Sequence, residues 1–381
     1  MTRNRAARRQ IIGIDCRTVL AHKTGDRTYT LNLLHGLAQL HLDPAACEFH
    51  LLLDAPDEEQ IIPHADYFKP VVLRASNSRL WTLIALPLYA RRARLDLVHV
   101  HYIAPPLLPC PFVTTIHDVV WRAMPETFPP LHRAIMNCLM PGTARRAARI
   151  ITESEAARQD ITNYLRVAPE KISITSNAVE PRYLEPVSAA QITAVRGKYG
   201  IGETPYVLSV GVLQPRKNVP RLIEAFEHLR QRHPDWPHRL VIVGKRGWGL
   251  ENAEGATGKA ELIYTGYVPD EDLPALYAGA EVFAYPSLYE GFGLPILEAM
   301  ACGCPVLTSN LSSMPEVAGD AAQLVDPFSV AAIRDGLEQL LSDQELRERL
   351  RQRGRERATQ FTAERQAAAT LEVYRSVIKT P

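Results

Sequence analysis

The sequence predicts an α/β protein of two domains, each built on a parallel sheet, and three observations carry that prediction. Short apolar runs alternate with helical stretches along most of the chain, the pattern of strands buried on both faces and joined by helical crossovers. Several of those runs end in a glycine that leads into a helix, as at Tyr206 to Gly211, Leu240 to Gly244 and Val282 to Gly293. Finally, 381 residues exceed what one hydrophobic core ordinarily organises, so two domains are the natural expectation.

Ile11 to Asp15 reads as the first buried strand, followed by the loop Lys23-Thr24-Gly25-Asp26-Arg27 and an amphipathic helix from Thr28 to Leu40. Strand, glycine loop and helix together make Gly25 a candidate for a phosphate-facing edge, with an ordinary turn glycine as the rival explanation. Phe49 to Leu53, Val71 to Leu73, Leu97 to Val100, Phe112 to Ile116, Ile150 to Thr152 and Ile172 to Ile174 continue the series of strands. His117-Asp118 falls where the Phe112 strand ends, the edge at which open α/β sheets bind ligands, although a capping or core histidine would occupy the same place. His99 and His101 share one strand. With no carboxylate partner implied nearby, they are expected to be structural rather than a metal pair. Leu80 to Arg94 mixes Trp81, Leu83, Ile84 and Leu88 with Arg91, Arg92 and Arg94. That composition suits either a core helix with a basic end or an interfacial helix facing anionic lipid, and Pro87 would kink either one.

From Glu180 to Thr204 the strand pattern is broken by Pro181, Pro186 and Gly200-Ile201-Gly202, which marks an interdomain linker with a short helix at Ser188 to Tyr199. The expected division is residues 1–185, residues 186–362, and a terminal helical segment, residues 363–381. After the Tyr206 strand, Arg216 and Lys217 stand at a strand-to-helix turn, where their charge-assisted bonds can neutralise a diphosphate. Gly244 ends the next strand at the same sheet edge. Asp270-Glu271-Asp272 spells a D-x-D, but it follows Pro269 and precedes a helix from Leu273. Capping acids explain it better than metal ligands. The last helices are expected at Ser329 to Leu341, Asp343 to Arg355 and Ala363 to Ile378.

The most informative stretch runs from Tyr289 to Gly303. Gly291 and Gly293 let backbone N–H groups approach a ligand, Pro295 suits a first helical turn and Gly303 stops the helix. A helix start after such a loop offers orphan N–H groups and a positive dipole end to phosphate. Glu290 and Glu298 bracket it, and carboxylates, which accept hydrogen bonds and donate none, suit the hydroxyls of a ribose or hexose.

Composition excludes other classes. Lys and Arg total 43 against 42 Asp and Glu, so whole-protein attraction to nucleic acid is not indicated. Arginines do cluster, at Arg3 to Arg9, Arg91 to Arg94 and Arg145 to Arg149. The six cysteines show neither a disulfide framework nor a C-x-x-C pair, which fits a reducing cytoplasm. The basic start turns charged too soon for a secretory signal, and the longest apolar stretch, Leu80 to Ala90, is well short of the roughly 20 residues a bilayer requires.

Glu290-Gly291-Phe292-Gly293-Leu294 through Glu298 resembles, position by position, the E-x7-E signature of retaining family-4 glycosyltransferases, and the likeness extends over nearly the whole chain. The resemblance implies a GT-B fold, two Rossmann-like domains facing across a cleft, with the donor mainly on the second domain and the acceptor entering through the first. It implies that Glu290 meets the donor sugar, that Gly291, Phe292, Gly293 and Leu294 meet the sugar and diphosphate, and that Glu298 binds the ribose. It also implies that His117 reaches the sugar and that Gly25 lies by the diphosphate, as do Arg216 and Lys217. The segment from Tyr264 to Asp270, with Val268, is similar to the family segment that packs the base. Val212 stands where some members carry another arginine. The expected reaction moves a hexose from a nucleoside diphosphate sugar, GDP-mannose by resemblance to bacterial surface-polysaccharide mannosyltransferases, to a glycan or lipid-linked hydroxyl. It requires no metal or other cofactor. A peripheral contact with the inner membrane face is a further expectation. A sugar-nucleotide epimerase, an α-glucan synthase and a silent nucleotide-sugar-binding scaffold are the alternatives.

Overall fold

A computed structural model describes residues 8–21, 24–245 and 261–378. Arg3, Arg5 and Lys23, which fall in stretches singled out in the sequence, lie outside the described residues. The chain divides into two compact units. The first comprises Met1–Ala123, Pro130–Ala178 and Thr362–Pro381, and the second Met124–Pro129 and Val179–Phe361.

The first unit holds strands β1 (Gln10–Asp15), β2 (Cys47–Leu53), β3 (Phe68–Val72), β4 (Leu97–His101), β5 (Phe112–Thr115), β6 (Arg149–Thr152) and β7 (Ile172–Ile174). They form a parallel sheet in the order β3-β2-β1-β4-β5-β6-β7. The second unit holds β8 (Tyr206–Val210), β9 (Arg239–Val243), β10 (Leu262–Gly266), β11 (Val282–Tyr285), β12 (Val306–Ser309) and β13 (Ala322–Val325), ordered β10-β9-β8-β11-β12-β13 and again all parallel. Both orders are doubly wound, reversing between β1 and β4 and between β8 and β11. Such sheets leave a crevice beyond the carboxyl ends of the strands at the reversal. Buried on both faces, the inner strands need continuous apolar runs, which is why they stood out in the sequence.

The helix after β1 starts at Gly25 rather than Thr28, because Thr24 caps it by accepting from the Arg27 N–H at 3.3 Å. Residues 180–204, expected as a linker with a short helix at Ser188 to Tyr199, carry that helix as Ala189–Lys198, opened by a capping box of Ser188 and Gln191, and a further helix, Pro181–Leu184. Tyr183 and Ile201 from this stretch are fully buried in the core of the second unit. The terminal helix Ala363–Ile378 belongs to the first unit and packs on helix Gly25–Gln39. A Cβ at Gly36 would come within 1.9 Å of the Ala363 carbonyl oxygen, so that crossing requires glycine. In the Leu80 region, Trp81–Ala85 form a π-turn, with the Leu86 N–H bonded to Trp81 O, just ahead of helix Leu86–Ala93 and its Pro87. The wider turn accommodates a proline that cannot donate. Among the described residues no helix is long and apolar enough to cross a membrane.

Candidate active site

In the second unit, the loop after β11 and the turn after β8 meet beyond the carboxyl ends of two adjacent strands. Pro215–Lys217 form a single 3-10 turn that ends at Asn218 in the left-handed region, φ 59°. The Asn218 amide donates to Pro286 O at 3.0 Å and Pro327 O at 2.7 Å, and the Leu288 N–H donates to Arg216 O at 2.7 Å. These bonds fix the basic turn against the acidic loop.

Glu290 is 6% exposed and is gripped from both sides. Its Oε2 accepts from Arg216 Nη1 at 2.5 Å, and its Oε1 accepts from Lys217 Nζ at 2.7 Å. Lys217 Nζ also donates to the Tyr285 hydroxyl and lies 4.6 Å from the centre of that ring. Burial alone would push the Glu290 carboxyl up, but the Arg216 and Lys217 charges outweigh it and hold it at about 2. The loop backbone is pinned from the far side. Ser312 Oγ donates to Glu290 O at 2.6 Å, and Ser313 Oγ lies 2.9 Å from Glu290 O and 2.7 Å from Phe292 O.

Gly293 takes φ 103°, a conformation closed to most side chains, and stands directly before helix Leu294–Ala301, whose second residue is Pro295. Glu298 is the fifth residue of that helix, beyond its first turn. It is buried, and its Oε2 accepts from the Tyr277 hydroxyl at 2.9 Å. Phe292 is buried edge-on to Phe361, so the loop is anchored by an apolar contact as well. Gly244, at φ 146°, has a packing reason for being glycine, since its Cβ would fall 1.9 Å from Gly211 O. Val268 is buried after β10. Asp270 opens the D-x-D, but the capping reading of these acids fails at Asp272. That residue sits at the N-cap without capping, because its Oδ2 accepts from Lys198 Nζ and the Tyr199 hydroxyl, both at 2.6 Å. Among the described residues no group of three or more His, Cys, Asp or Glu could hold a metal ion.

In the first unit, His117 follows β5 and is 7% exposed. Its Nδ1 lies 3.2 Å from Glu153 Oε1, and its Nε2 lies 3.6 Å from Asp26 Oδ1. The ring stacks on His101 at 5.6 Å and meets Tyr29 edge-on at 4.9 Å. Burial pulls the imidazole down, but Glu153 and Asp26, helped by Asp118, outweigh it and raise it to about 9. His101, buried beside that positive ring, falls to about 4. Gly25 is the first residue of its helix, with open space where a Cβ would be. His99 is structural, as expected, bonded to the Tyr374 hydroxyl at 2.6 Å and to Thr115 Oγ1 at 2.7 Å.

Sequence reading missed Glu153, Ser312, Ser313 and Tyr285. Glu153 follows β6 at the same sheet edge as His117, a placement that only the strand order reveals. Ser312 and Ser313 similarly follow β12, next to β11.

Two doubly wound parallel sheets, with charged side chains gathered beyond their carboxyl ends, define a Rossmann-like α/β architecture. The family profile "Glycosyltransferase Family 4" matches residues 24–183, and "Glycosyl transferases group 1" matches residues 191–357. The O-antigen chain mannosyltransferase B of Escherichia coli is 39% identical over 271 residues, 69% of this chain and 70% of that protein. The serotype-specific mannosyltransferase WbdA of Escherichia coli is 31% identical over 288 residues, 72% of this chain but 34% of that protein, so the match spans about a third of WbdA. The sucrose-phosphate synthase of Thermosynechococcus elongatus superposes with a TM-score of 0.76 at 20% identity, over 98% of this chain and 100% of that one. The chain belongs to the family-4, group-1 glycosyltransferases of GT-B fold and is a hexosyltransferase.

Proposed function

We propose that the protein transfers mannose from GDP-mannose, with retention of configuration, to a hydroxyl of a growing surface glycan or its lipid-linked precursor. One observation carries the reading: Glu290 stands clamped by Arg216 and Lys217 beside the Gly293 helix start. A diphosphate competes with Glu290 for those cations, and the released carboxylate then accepts from a sugar hydroxyl. The two cations and the orphan N–H groups of helix Leu294–Ala301 stabilise charge as it develops on the leaving diphosphate. The choice of mannose is supported by the name of the 39% identical relative. The ribose role falls to Glu298, with Val268 and Asp270 toward the base, Gly25 and Gly244 along the diphosphate, and Gly291, Phe292 and Leu294 in the loop that frames it.

Nucleotide release from a panel of nucleotide sugars, with and without acceptor glycan, tests this. Release from GDP-mannose that requires acceptor is expected. Conversion of the sugar nucleotide itself would indicate an epimerase, and binding without turnover a scaffold. The reaction is expected to persist in excess EDTA, because the two side-chain cations do the work of a divalent ion. Complete loss, restored by Mg²⁺ or Mn²⁺, would contradict the metal-free reading.

A second observation supports a membrane contact. Leu80, Leu83, Ile84 and Leu88 are exposed along one face of the Ser78 to Ala93 stretch, flanked by exposed Arg79, Arg91 and Arg92. An apolar row with a basic border is complementary to an anionic lipid surface. The Arg145 to Arg149 cluster, with Arg145 and Arg146 exposed, is a second source of basic charge. Arg146 donates to Pro105 O and Pro106 O, and Arg149 to Glu170 O. Vesicles of phosphatidylglycerol should capture the protein at low salt and release it as salt rises, with Ile84→Ser and Leu88→Ser weakening capture. Equal capture by neutral vesicles would contradict this.

A further inference from the structure

We propose that Glu153 is the positioning residue for His117: it fixes the imidazole through Nδ1, so that the opposite Nε2–H is left to donate to a hydroxyl of the bound sugar. The inference rests on the transferase reading above and adds a residue to it.

Three observations converge on Glu153. Its carboxylate is 4% exposed and is itself held, accepting from Asn177 Nδ2 at 3.1 Å on the same oxygen that faces His117 Nδ1. Asn177 is locked in turn, its Oδ1 accepting from Asn32 Nδ2 at 3.2 Å and from the Ala178 N–H at 2.8 Å. The ring therefore has little freedom to rotate. The second observation is at the other end of the imidazole. His117 Nε2 is buried, yet among the described residues it has no hydrogen-bond partner, its nearest carboxylate oxygen being that of Asp26 at 3.6 Å. A buried N–H left unbonded costs about 1–3 kcal/mol, so an atom supplied by a ligand is the natural acceptor. The third is location, since His117 and Glu153 follow the neighbouring strands β5 and β6 at their carboxyl ends.

The charges around the ring act together. Asp26 and Tyr29 face it from helix Gly25–Gln39, Asp118 from its own loop, Glu153 from beyond β6, and His101 and Tyr102 from the end of β4. Carboxylates dominate this set and keep the imidazolium charged through neutral pH, so that both ring nitrogens carry protons. Without Glu153, a neutral ring could place its single proton on Nδ1 and leave Nε2 unable to donate.

The experiment follows the His117 ring by NMR in the full chain, assigned by its loss in His117→Asn, together with the pH dependence of kcat/KM for GDP-mannose. In the wild type the ring should titrate at about 9. Glu153→Gln should lower that midpoint by roughly 1–3 pH units, as expected for removing one adjacent opposite charge, and carry the alkaline limb of kcat/KM down with it. Glu153→Asp should restore part of both shifts. A wild-type ring titrating near its ordinary value overturns the proposal without any variant having to fold. Equal ring midpoints in wild type and a folded Glu153→Gln overturn it too, as does full activity in His117→Asn. None of these outcomes touches the transferase reading, which fails separately if no nucleotide sugar is turned over.

Discussion

Arg216→Ala and Lys217→Ala should each lower kcat for sugar transfer by roughly 10²–10³-fold, the loss seen when one preorganised donor to developing negative charge is removed. Both side chains already point at an anion, the Glu290 carboxylate, at 2.5 Å and 2.7 Å, so no reorganisation is needed to meet a phosphate in its place. Stability supplies a control. The Glu290 carboxyl is held at about 2, below its ordinary 4.5, so the pairing contributes stability above pH 4.5 that is lost as pH falls toward 2. Removing either cation shrinks that contribution, and melting temperature should fall above pH 4.5 while differing less at lower pH. A kcat within threefold of wild type in both variants, with this stability loss present, would assign the pair to folding alone.

Glu290→Gln should lower kcat by roughly ten- to hundredfold with a small change in KM, whereas Glu298→Ala should mainly raise KM for the donor. The division follows from the two environments. Glu290 sits between two cations that the diphosphate recruits, so its contact with the sugar strengthens as the sugar becomes cation-like and departs. Glu298 lies one turn into the helix beside the neutral Tyr277 hydroxyl, where its bond to a ribose is equally good before and during reaction. Glutamine is the choice at 290 because it removes the charge while keeping the side chain's size and one oxygen to accept from Arg216 or Lys217, an acceptor that deletion would also remove. Steady-state kinetics on both variants, with melting temperature alongside, separate the roles. Parallel changes in kcat and KM for the two would remove the distinction.

Much of the fold was legible because parallel strands buried on both faces must be almost continuously apolar, as at Leu240 to Val243 and, interrupted only by His99, at Leu97 to Val100. Ala322–Val325 escaped notice because it is a short edge strand, mostly half-buried, with a glutamine in its middle. Within residues 180–204 the helix at Ser188 to Tyr199 was legible, whereas prolines and glycines read as a linker and hid the burial of Tyr183 and Ile201 in a core. The glycine loop could be read because its conformational need is local, with Gly293 at φ 103° and a helix directly after it. Its partners could not. Arg216 and Lys217 reach Glu290 across more than seventy residues, a pairing set by the adjacency of β8 and β11 and not by any spacing. Glu153 was hidden for the same reason. Between Thr152 and the helix cap Ser154 it has no pattern around it, and only the β5–β6 pairing brings it to His117.

The central claim is that Arg216 and Lys217 exchange Glu290 for a nucleoside diphosphate, and calorimetric titration of GDP into wild type, Arg216→Ala and Lys217→Ala tests it most directly. The account predicts saturable binding to wild type that weakens at least about tenfold in each variant, as the loss of a charge-assisted bond worth about 1.5–3 kcal/mol requires. GDP binding of equal affinity in all three proteins would contradict it.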